Sequence, residues 1–320
     1  MRRISWLIAI SVALPLSALA EPGMANAAAA PPNLYAAVDA TGHLTSGNGV
    51  AAVAQLGVGT YEVSFNSAVS SCAYVATPSA VASGALQAYT ASGSTATAVK
   101  VEIRDQGGAP TDGGFHLVVD CGNFGMLYAV VGYTGNLVRG SQGTSVSTFG
   151  GGTYNIWFPP RITPCSYIAT VGDPGTGQAP ATTGVYTASG KNGHMVYVET
   201  KNAGGGLQSG IPFHLAVICQ VTSRTLTAVV RPDGTLNRGS PRVTSSSTAT
   251  GQYTIDSPYD VSGCAAVATR GSVDKSVPFN PTTVEVSAGA TSTSVGVVLR
   301  ELAFFGGDDF NEAFHVAIVC

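Results

Sequence analysis

The stretch Phe213-His214-Leu215-Ala216-Val217-Ile218-Cys219 ends the second of three copies of one sequence skeleton. In each copy a Gly-x-Tyr opens an alternating segment, a cysteine follows eleven residues after the tyrosine, and a Phe-His apolar run ends on a second cysteine. The copies of this skeleton occupy residues 59–121, 152–219 and 251–320. A skeleton that returns three times predicts three domains of the same fold.

The alternation inside the copies is that of β-strands. Tyr61, Val63 and Phe65 share one face of the first copy, and Glu62 and Ser64 share the other. A period of two is typical of a strand with one buried and one exposed face. Charged residues make up 10% of the chain and glycine occurs 40 times, a composition that favours short strands and tight turns over exposed helices.

The repeat also sets the domain boundaries. An apolar segment near the start of each copy is followed by a turn at Gly42, Gly135 or Gly234, where glycine supplies the positive φ of a hairpin turn. We therefore predict an all-β protein of three tandem, small antiparallel β-sandwich or jelly-roll-like domains with one disulfide each. The predicted domains are repeat 1 at residues 34–121, repeat 2 at 127–219 and repeat 3 at 226–320.

The Phe-His strands differ from the alternating strands because both of their faces are apolar. In repeat 2, Phe213, Leu215 and Val217 form one face, and Ala216 and Ile218 lie on the other. This pattern predicts a strand that is central in its sheet, or one that packs against another repeat or subunit.

The cysteines are used two per copy, with none left over. Six cysteines allow fifteen pairings, and the equivalence of the repeats selects one of them: Cys72–Cys121, Cys165–Cys219 and Cys264–Cys320. Each bond closes a loop of about 50 residues, which stabilises a domain by about 4 kcal/mol on the chain-entropy model. Disulfides of this kind form in oxidising compartments.

The N-terminus has the pattern of a secretory signal peptide over residues 1–27. Arg2 and Arg3 form a basic region, residues 4–19 are mostly apolar, and small residues predict cleavage after Ala20 or Ala27. No later stretch has the length of a membrane span. We expect a secreted, extracellular protein, either free or associated with the cell surface, with no membrane span in the mature chain.

The net charge is −3, and no basic patch occurs along the sequence. Nucleic acids and anionic membrane surfaces are recognised through clustered lysine and arginine. Both are therefore poor candidates as partners.

The motifs at residues 59–65, 72–77 and 213–219 resemble uncharacterised tandem β-repeat domains of secreted actinobacterial and fibre-type bacterial proteins. The resemblance implies secretion and tandem β-domains, and it brings no catalytic residues. The strand at 59–65 is also similar to a strand of the trimeric C1q/TNF-like jelly rolls.

Three histidines, His116, His214 and His315, occupy one equivalent position in the repeats. If the repeats pack about an axis, the imidazoles could converge on a metal ion. The alternative is a half-buried histidine that hydrogen-bonds a carbonyl and holds the strand end in place. Because the flanking residues are apolar, we favour the structural role and predict neither a metal nor a cofactor.

Repeat 3 alone carries an acidic segment at residues 306–312, with oxygen donors on Asp308, Asp309, Asn311 and Glu312. Such donors in a glycine-rich loop are candidate calcium ligands. The segment lacks the spacing of a calcium-loop motif, so a solvated acidic loop is the favoured interpretation.

Trp157 is the best single candidate for a sugar-binding platform, because its neighbours Ile156 and Phe158 take the core face of their strand. In the competing interpretation, Trp157 covers a contact between repeats 1 and 2.

No Gly-x-Ser-x-Gly elbow is present, and the acidic residues differ between copies. We therefore predict a non-enzymatic surface, adhesion or envelope-binding protein that contacts a cell-wall polymer or polysaccharide multivalently through its tandem domains. One alternative is a structural fibre or coat component whose apolar faces form homo-oligomers such as trimers. Another is a secreted hydrolase.

Overall fold

The computed structural model describes residues 33–80, 85–122, 126–178, 183–219, 224–274, 282–302 and 308–320. Within these ranges, 24 β-strands form six four-stranded antiparallel sheets, and no α-helix occurs. The described part of the chain accordingly contains no helix with the length and apolarity that a membrane crossing requires. The predicted signal peptide lies outside the described residues.

Each repeat is a sandwich of two four-stranded sheets. Repeat 1 contains β1 Leu34–Val38, β2 Leu44–Asn48, β3 Val50–Gly57, β4 Thr60–Phe65, β5 Ala73–Pro78, β6 Gln87–Ser92, β7 Ala98–Arg104 and β8 Phe115–Asp120. Repeat 2 contains β9 Met126–Val131, β10 Leu137–Gly140, β11 Ser145–Gly150, β12 Thr153–Trp157, β13 Ser166–Val171, β14 Thr183–Ser189, β15 Met195–Asn202 and β16 Phe213–Ile218. Repeat 3 contains β17 Thr225–Val230, β18 Leu236–Gly239, β19 Thr244–Ala249, β20 Gln252–Asp256, β21 Ala265–Arg270, β22 Thr282–Ala288, β23 Ser294–Glu301 and β24 Phe314–Val319.

The strand order is the same in all three repeats. We call β2-β1-β8-β5, β10-β9-β16-β13 and β18-β17-β24-β21 the inner sheets, and β3-β4-β7-β6, β11-β12-β15-β14 and β19-β20-β23-β22 the outer sheets. The predicted all-β class with three β-sandwich domains is therefore confirmed. The predicted hairpin turns are also present, with φ of 81° at Gly42, 78° at Gly135 and 84° at Gly234.

The core of each repeat lies between its two sheets. In repeat 1 the alternating strand β4 buries Tyr61, Val63 and Phe65 against Phe115 and Leu117 of β8 and their neighbours. Repeats 2 and 3 have corresponding cores built on Tyr154 and Tyr253.

The disulfides Cys72–Cys121, Cys165–Cys219 and Cys264–Cys320 are present as predicted. Each bond joins neighbouring strands of one inner sheet and does not link the two sheets of a sandwich. In repeat 1, Ala73 pairs with Asp120, which places the adjacent cysteines side by side at the sheet end.

The second apolar face of each inner sheet packs against the other repeats. A further buried cluster combines Val75 and Val118 of repeat 1 with Ile168 and Ala216 of repeat 2 and with residues of repeat 3, including Val267. The Phe-His strands are also central, each between two other strands. The prediction from their two apolar faces is thus confirmed, and the three repeats share a common core around a pseudo-threefold arrangement.

Candidate binding site

The three equivalent histidines join neighbouring repeats. In each case the imidazole Nδ1 accepts a hydrogen bond from a backbone N–H on an inner-sheet edge strand of another repeat. The pairs are Tyr74 N to His214 Nδ1 at 2.9 Å, Tyr167 N to His315 Nδ1 at 3.0 Å and Ala266 N to His116 Nδ1 at 3.1 Å. Repeat 2 thus contacts repeat 1, repeat 3 contacts repeat 2, and repeat 1 contacts repeat 3, which closes a ring.

Three equivalent threonines repeat the same ring. Each hydroxyl accepts a hydrogen bond from the N–H of one edge-strand alanine and donates one to the C=O of the same alanine. The pairs are Thr170 with Ala76, Thr269 with Ala169 and Thr77 with Ala268, with distances of 2.7–3.1 Å. These side chains satisfy backbone groups that a free strand edge would expose. An unpaired edge of that kind is a template for aggregation.

Burial keeps the histidines neutral. Desolvation lowers the pKa of His116 to about 4 and, together with the nearby Arg139 and Arg238 charges, the pKa values of His214 and His315 to about 3. Each imidazole lies in a different interface between repeats. Among the described residues no group of three or more His, Cys, Asp or Glu side chains is placed to hold a metal ion. The arrangement gives these histidines a structural role.

The acidic segment of repeat 3 is described only from Asp308 onward. Asp308 is exposed. Asp309 accepts hydrogen bonds from Arg300 Nε at 3.1 Å and from Gln252 Nε2 at 2.8 Å. Both carboxylate oxygens of Asp309 therefore bind protein groups.

The other two predicted ligands of this segment, of which Asn311 is exposed, also bind protein groups. Asn311 Oδ1 accepts a hydrogen bond from Gly251 N at 2.7 Å. Glu312 is buried, and Thr282 Oγ1 donates a hydrogen bond to its Oε2. Burial raises the pKa of Glu312, and the charge of Arg270 opposes that rise. The four predicted ligands thus face different surroundings.

Trp157 lies on the outer sheet of repeat 2 and is 36% exposed. Its indole stacks on the imidazole of His194 in the same repeat, with ring centroids 6.2 Å apart and planes 24° apart. Trp157 pairs across the sheet with Met195. The ring is thus available on a solvent-facing aromatic surface.

A pocket of about 300 Å³ opens on the same outer face, two residues along β12 from Trp157. It is formed by the strands β11 and β12, by β15 and by the turn after β14. Its lining residues are Phe149, Thr153, Asn155, Ser189, Gly190, Lys191 and Tyr197. Sequence reasoning found Trp157 but missed the pocket, because its walls come from segments up to about 50 positions apart in the chain.

The pocket combines aromatic walls with polar groups. Asn155 is 4% exposed, and its Oδ1 has no hydrogen-bond partner among the described residues. Tyr197 donates a hydrogen bond to Glu199 Oε1 at 2.9 Å, and burial together with this bond raises the pKa of Tyr197 to about 12. The Lys191 ammonium lies 5.9 Å from the centroid of the Phe149 ring. This set can stack a flat apolar surface and hydrogen-bond its polar edge.

Comparison with known proteins gives no relative from which a role can be transferred: no family model, curated protein or solved structure matches the chain.

Proposed function

We propose that the chain is a secreted, non-enzymatic binding protein that attaches to a polysaccharide or cell-wall polymer through the outer sheet of repeat 2. The observation that carries the proposal is the aromatic surface of Trp157 and His194 beside the Phe149–Tyr197 pocket. Exposed aromatic rings on a rigid sheet bind sugar rings without a large loss of conformational entropy.

The ring of repeats supports a scaffold role for the rest of the chain. Histidine and threonine contacts between the inner sheets fix the three repeats in one body, which holds the outer face in one geometry. One disulfide in each repeat joins neighbouring strands of its inner sheet, and disulfides suit an oxidising, extracellular setting.

The same contacts favour a binder over an oligomeric fibre. The fibre alternative depended on apolar second faces that would pair subunits. These faces contact one another within a single chain. His214 and His315 are buried, and the Nδ1 atoms of all three repeat-equivalent histidines accept hydrogen bonds from backbone N–H groups, which supports a non-enzymatic role.

Co-sedimentation tests the proposal. Purified, oxidised protein is mixed with isolated cell walls and with a panel of insoluble polysaccharides, and the pelleted fraction is measured. We expect retention on at least one polymer, reduced at least fivefold by Trp157→Ser. The matched control is Tyr259→Ser, which removes an aromatic ring from repeat 3 that is 45% exposed, and it should pellet like the unaltered protein. Protein that stays in the supernatant with every polymer overturns the proposal.

A further inference from the structure

All the lining residues of the outer-face pocket belong to repeat 2, and the other repeats differ from it at several of these positions. The residue after the Gly-x-Tyr tyrosine is Asn155 there, and it is Glu62 in repeat 1 and Thr254 in repeat 3. Across the sheet, Asn155 pairs with Tyr197, whereas the cross-strand partner of Thr254 is Gly296. At this cross-strand position repeat 3 therefore has a glycine in place of the aromatic side chain of Tyr197.

In repeat 1 the strand residue that corresponds to Asn155 is bonded to the neighbouring loop. Glu62 accepts hydrogen bonds from Ser94 N at 2.6 Å and from Ser94 Oγ at 2.7 Å, which ties the loop after β6 down onto β4. In repeat 2 the equivalent loop position is Lys191, and the strand residue is Asn155. No such bond forms, and the Asn155 amide oxygen is left buried without a partner. A hydroxyl donor of a bound ligand can satisfy a buried acceptor of this kind.

The residues at the walls and the mouth of the pocket indicate the chemical class of the ligand that carries this donor. Phe149, which is 61% exposed, and Tyr197 offer aromatic faces on which the C–H face of a sugar ring packs. A ring hydroxyl can then donate to Asn155 Oδ1. A volume of about 300 Å³ is at the small end of ligand pockets, which suits one or two rings.

Lys191 adds a positive charge at the mouth. It is exposed, and none of the ion pairs between described residues involves it. An ammonium group beside an aromatic wall, with no carboxylate of the described residues in an ion pair with it, favours a ligand that carries an anionic group.

We propose that this pocket binds one acidic sugar ring, with the ring stacked between Phe149 and Tyr197, a hydroxyl on Asn155 Oδ1 and the anionic substituent on Lys191. The inference rests on the proposed polysaccharide-binding function and names the kind of sugar unit that the polymer presents.

Chemical-shift titration of the ¹⁵N-labelled full chain tests the proposal. The probes are methyl β-D-glucuronide, glucose 6-phosphate and the neutral methyl β-D-glucoside. We expect at least one acidic sugar to bind at least tenfold more tightly than the neutral one, with shift changes confined to β11, β12, β15 and the loop after β14. Tighter binding of the glucuronide assigns the anionic group to a carboxylate, and tighter binding of glucose 6-phosphate assigns it to a phosphate.

Three variants separate the contributions. Lys191→Gln should weaken the binding of the acidic sugar at least tenfold and change the affinity for the neutral sugar by less than twofold. Phe149→Ser should weaken both at least fivefold. The matched control Arg231→Gln removes an exposed charge from repeat 3 and should change neither. All three positions are exposed, so the variants are expected to fold, and dispersed amide spectra verify this.

Equal affinities for acidic and neutral sugars, or an unchanged preference in Lys191→Gln, overturn the inference. If none of the probes binds while the protein still co-sediments with a polymer, the pocket assignment fails and the proposed function stands. If the acidic sugar binds as expected but no polymer retains the protein, the pocket assignment stands and the proposed function fails.

Discussion

Replacing His214 by asparagine tests the neutral, buried state of the interface histidines. His214 is fully buried, its Nδ1 accepts from Tyr74 N, and its Nε2 lies 3.3 Å from Asp173 O. Desolvation and the charge of Arg139 lower its pKa to about 3. Asparagine retains an oxygen that can accept the Tyr74 N–H, but it does not titrate.

The expected magnitude follows from proton linkage. The folded-state pKa of about 3 lies below the ordinary value of about 6.5, so the unfolded chain binds one more proton between these two pH values. The stabilisation by His214 is complete above pH 6.5 and is lost at about 1.4 kcal/mol per unit as the pH falls towards 3. At pH 4.5 the unaltered protein has lost about 3 kcal/mol of this stabilisation. The His214→Asn variant has no titrating group at this position and does not lose it.

The assay is equilibrium denaturation by guanidinium chloride at pH 7.5 and pH 4.5. At pH 7.5 we expect His214→Asn to be less stable by about 1–3 kcal/mol, because packing and hydrogen bonding are lost. At pH 4.5 this deficit should shrink by about 3 kcal/mol and vanish or change sign.

The comparison between the two pH values isolates His214. Burial raises the pKa of Asp120 to about 7, so Asp120 favours the folded state as the pH falls from 7 towards 3.8. It is present in both proteins, and its contribution cancels. The control variant His43→Asn replaces an exposed histidine and should change the free energy of unfolding by at most about 0.5 kcal/mol at either pH. A deficit for His214→Asn that is the same at both pH values refutes the reasoning.

Three further predictions concern the scaffold. Replacing both cysteines of the repeat 2 disulfide by alanine should lower the free energy of unfolding by about 4 kcal/mol, measured by denaturation without reductant; a loss below about 1 kcal/mol would contradict the stabilising role of that loop closure. Thr170→Val leaves the N–H and C=O of Ala76 without their partner and should cost about 1–3 kcal/mol in the same assay, whereas an unchanged midpoint would show that the hydroxyl ring does not stabilise the interface. Gly152→Ala should lower the free energy of unfolding by at least about 2 kcal/mol more than Gly150→Ala. Both glycines have positive φ, but only at Gly152 would an added Cβ lie 2.4 Å from a carbonyl oxygen. Equal thermal midpoints of the two variants would contradict this steric argument.

Much of the fold could be predicted because it follows from local pattern. The alternation around Tyr61 defines the buried face of β4, and the equivalence of the repeats leaves one disulfide pairing. The two apolar faces of the Phe213 strand predict a strand covered on both sides, and the structure places the other repeats on its second face.

The local sequence pattern could not predict the closed ring of repeats. It depends on long-range contacts such as that of His214 with Tyr74, which are 140 positions apart. A signal was nevertheless present in the sequence, since an Ala-Thr pair recurs at Ala76-Thr77, Ala169-Thr170 and Ala268-Thr269. A polar side chain retained at one place in three apolar strands indicates a specific hydrogen bond.

No recurring sequence feature of this kind indicated the pocket. Phe149, Asn155 and Lys191 differ from their counterparts in the other repeats, and single departures from a repeat do not reveal that they share one surface. The strand register brings Asn155 and Tyr197 together, and the register is a property of the folded sheet. Trp157 was identified because its own strand places it opposite the core.

Amide hydrogen exchange of the edge strand β5 tests the closed ring of repeats most directly. The N–H groups of Tyr74 and Ala76 bond to His214 and Thr170 of repeat 2. We predict that both amides exchange as slowly as those of the central strand β8, and that they exchange much faster in a His214→Asn, Thr170→Val double variant. Exchange of Tyr74 and Ala76 in the unaltered protein at the rate of an open sheet edge would contradict it, because the repeats would then be separate domains.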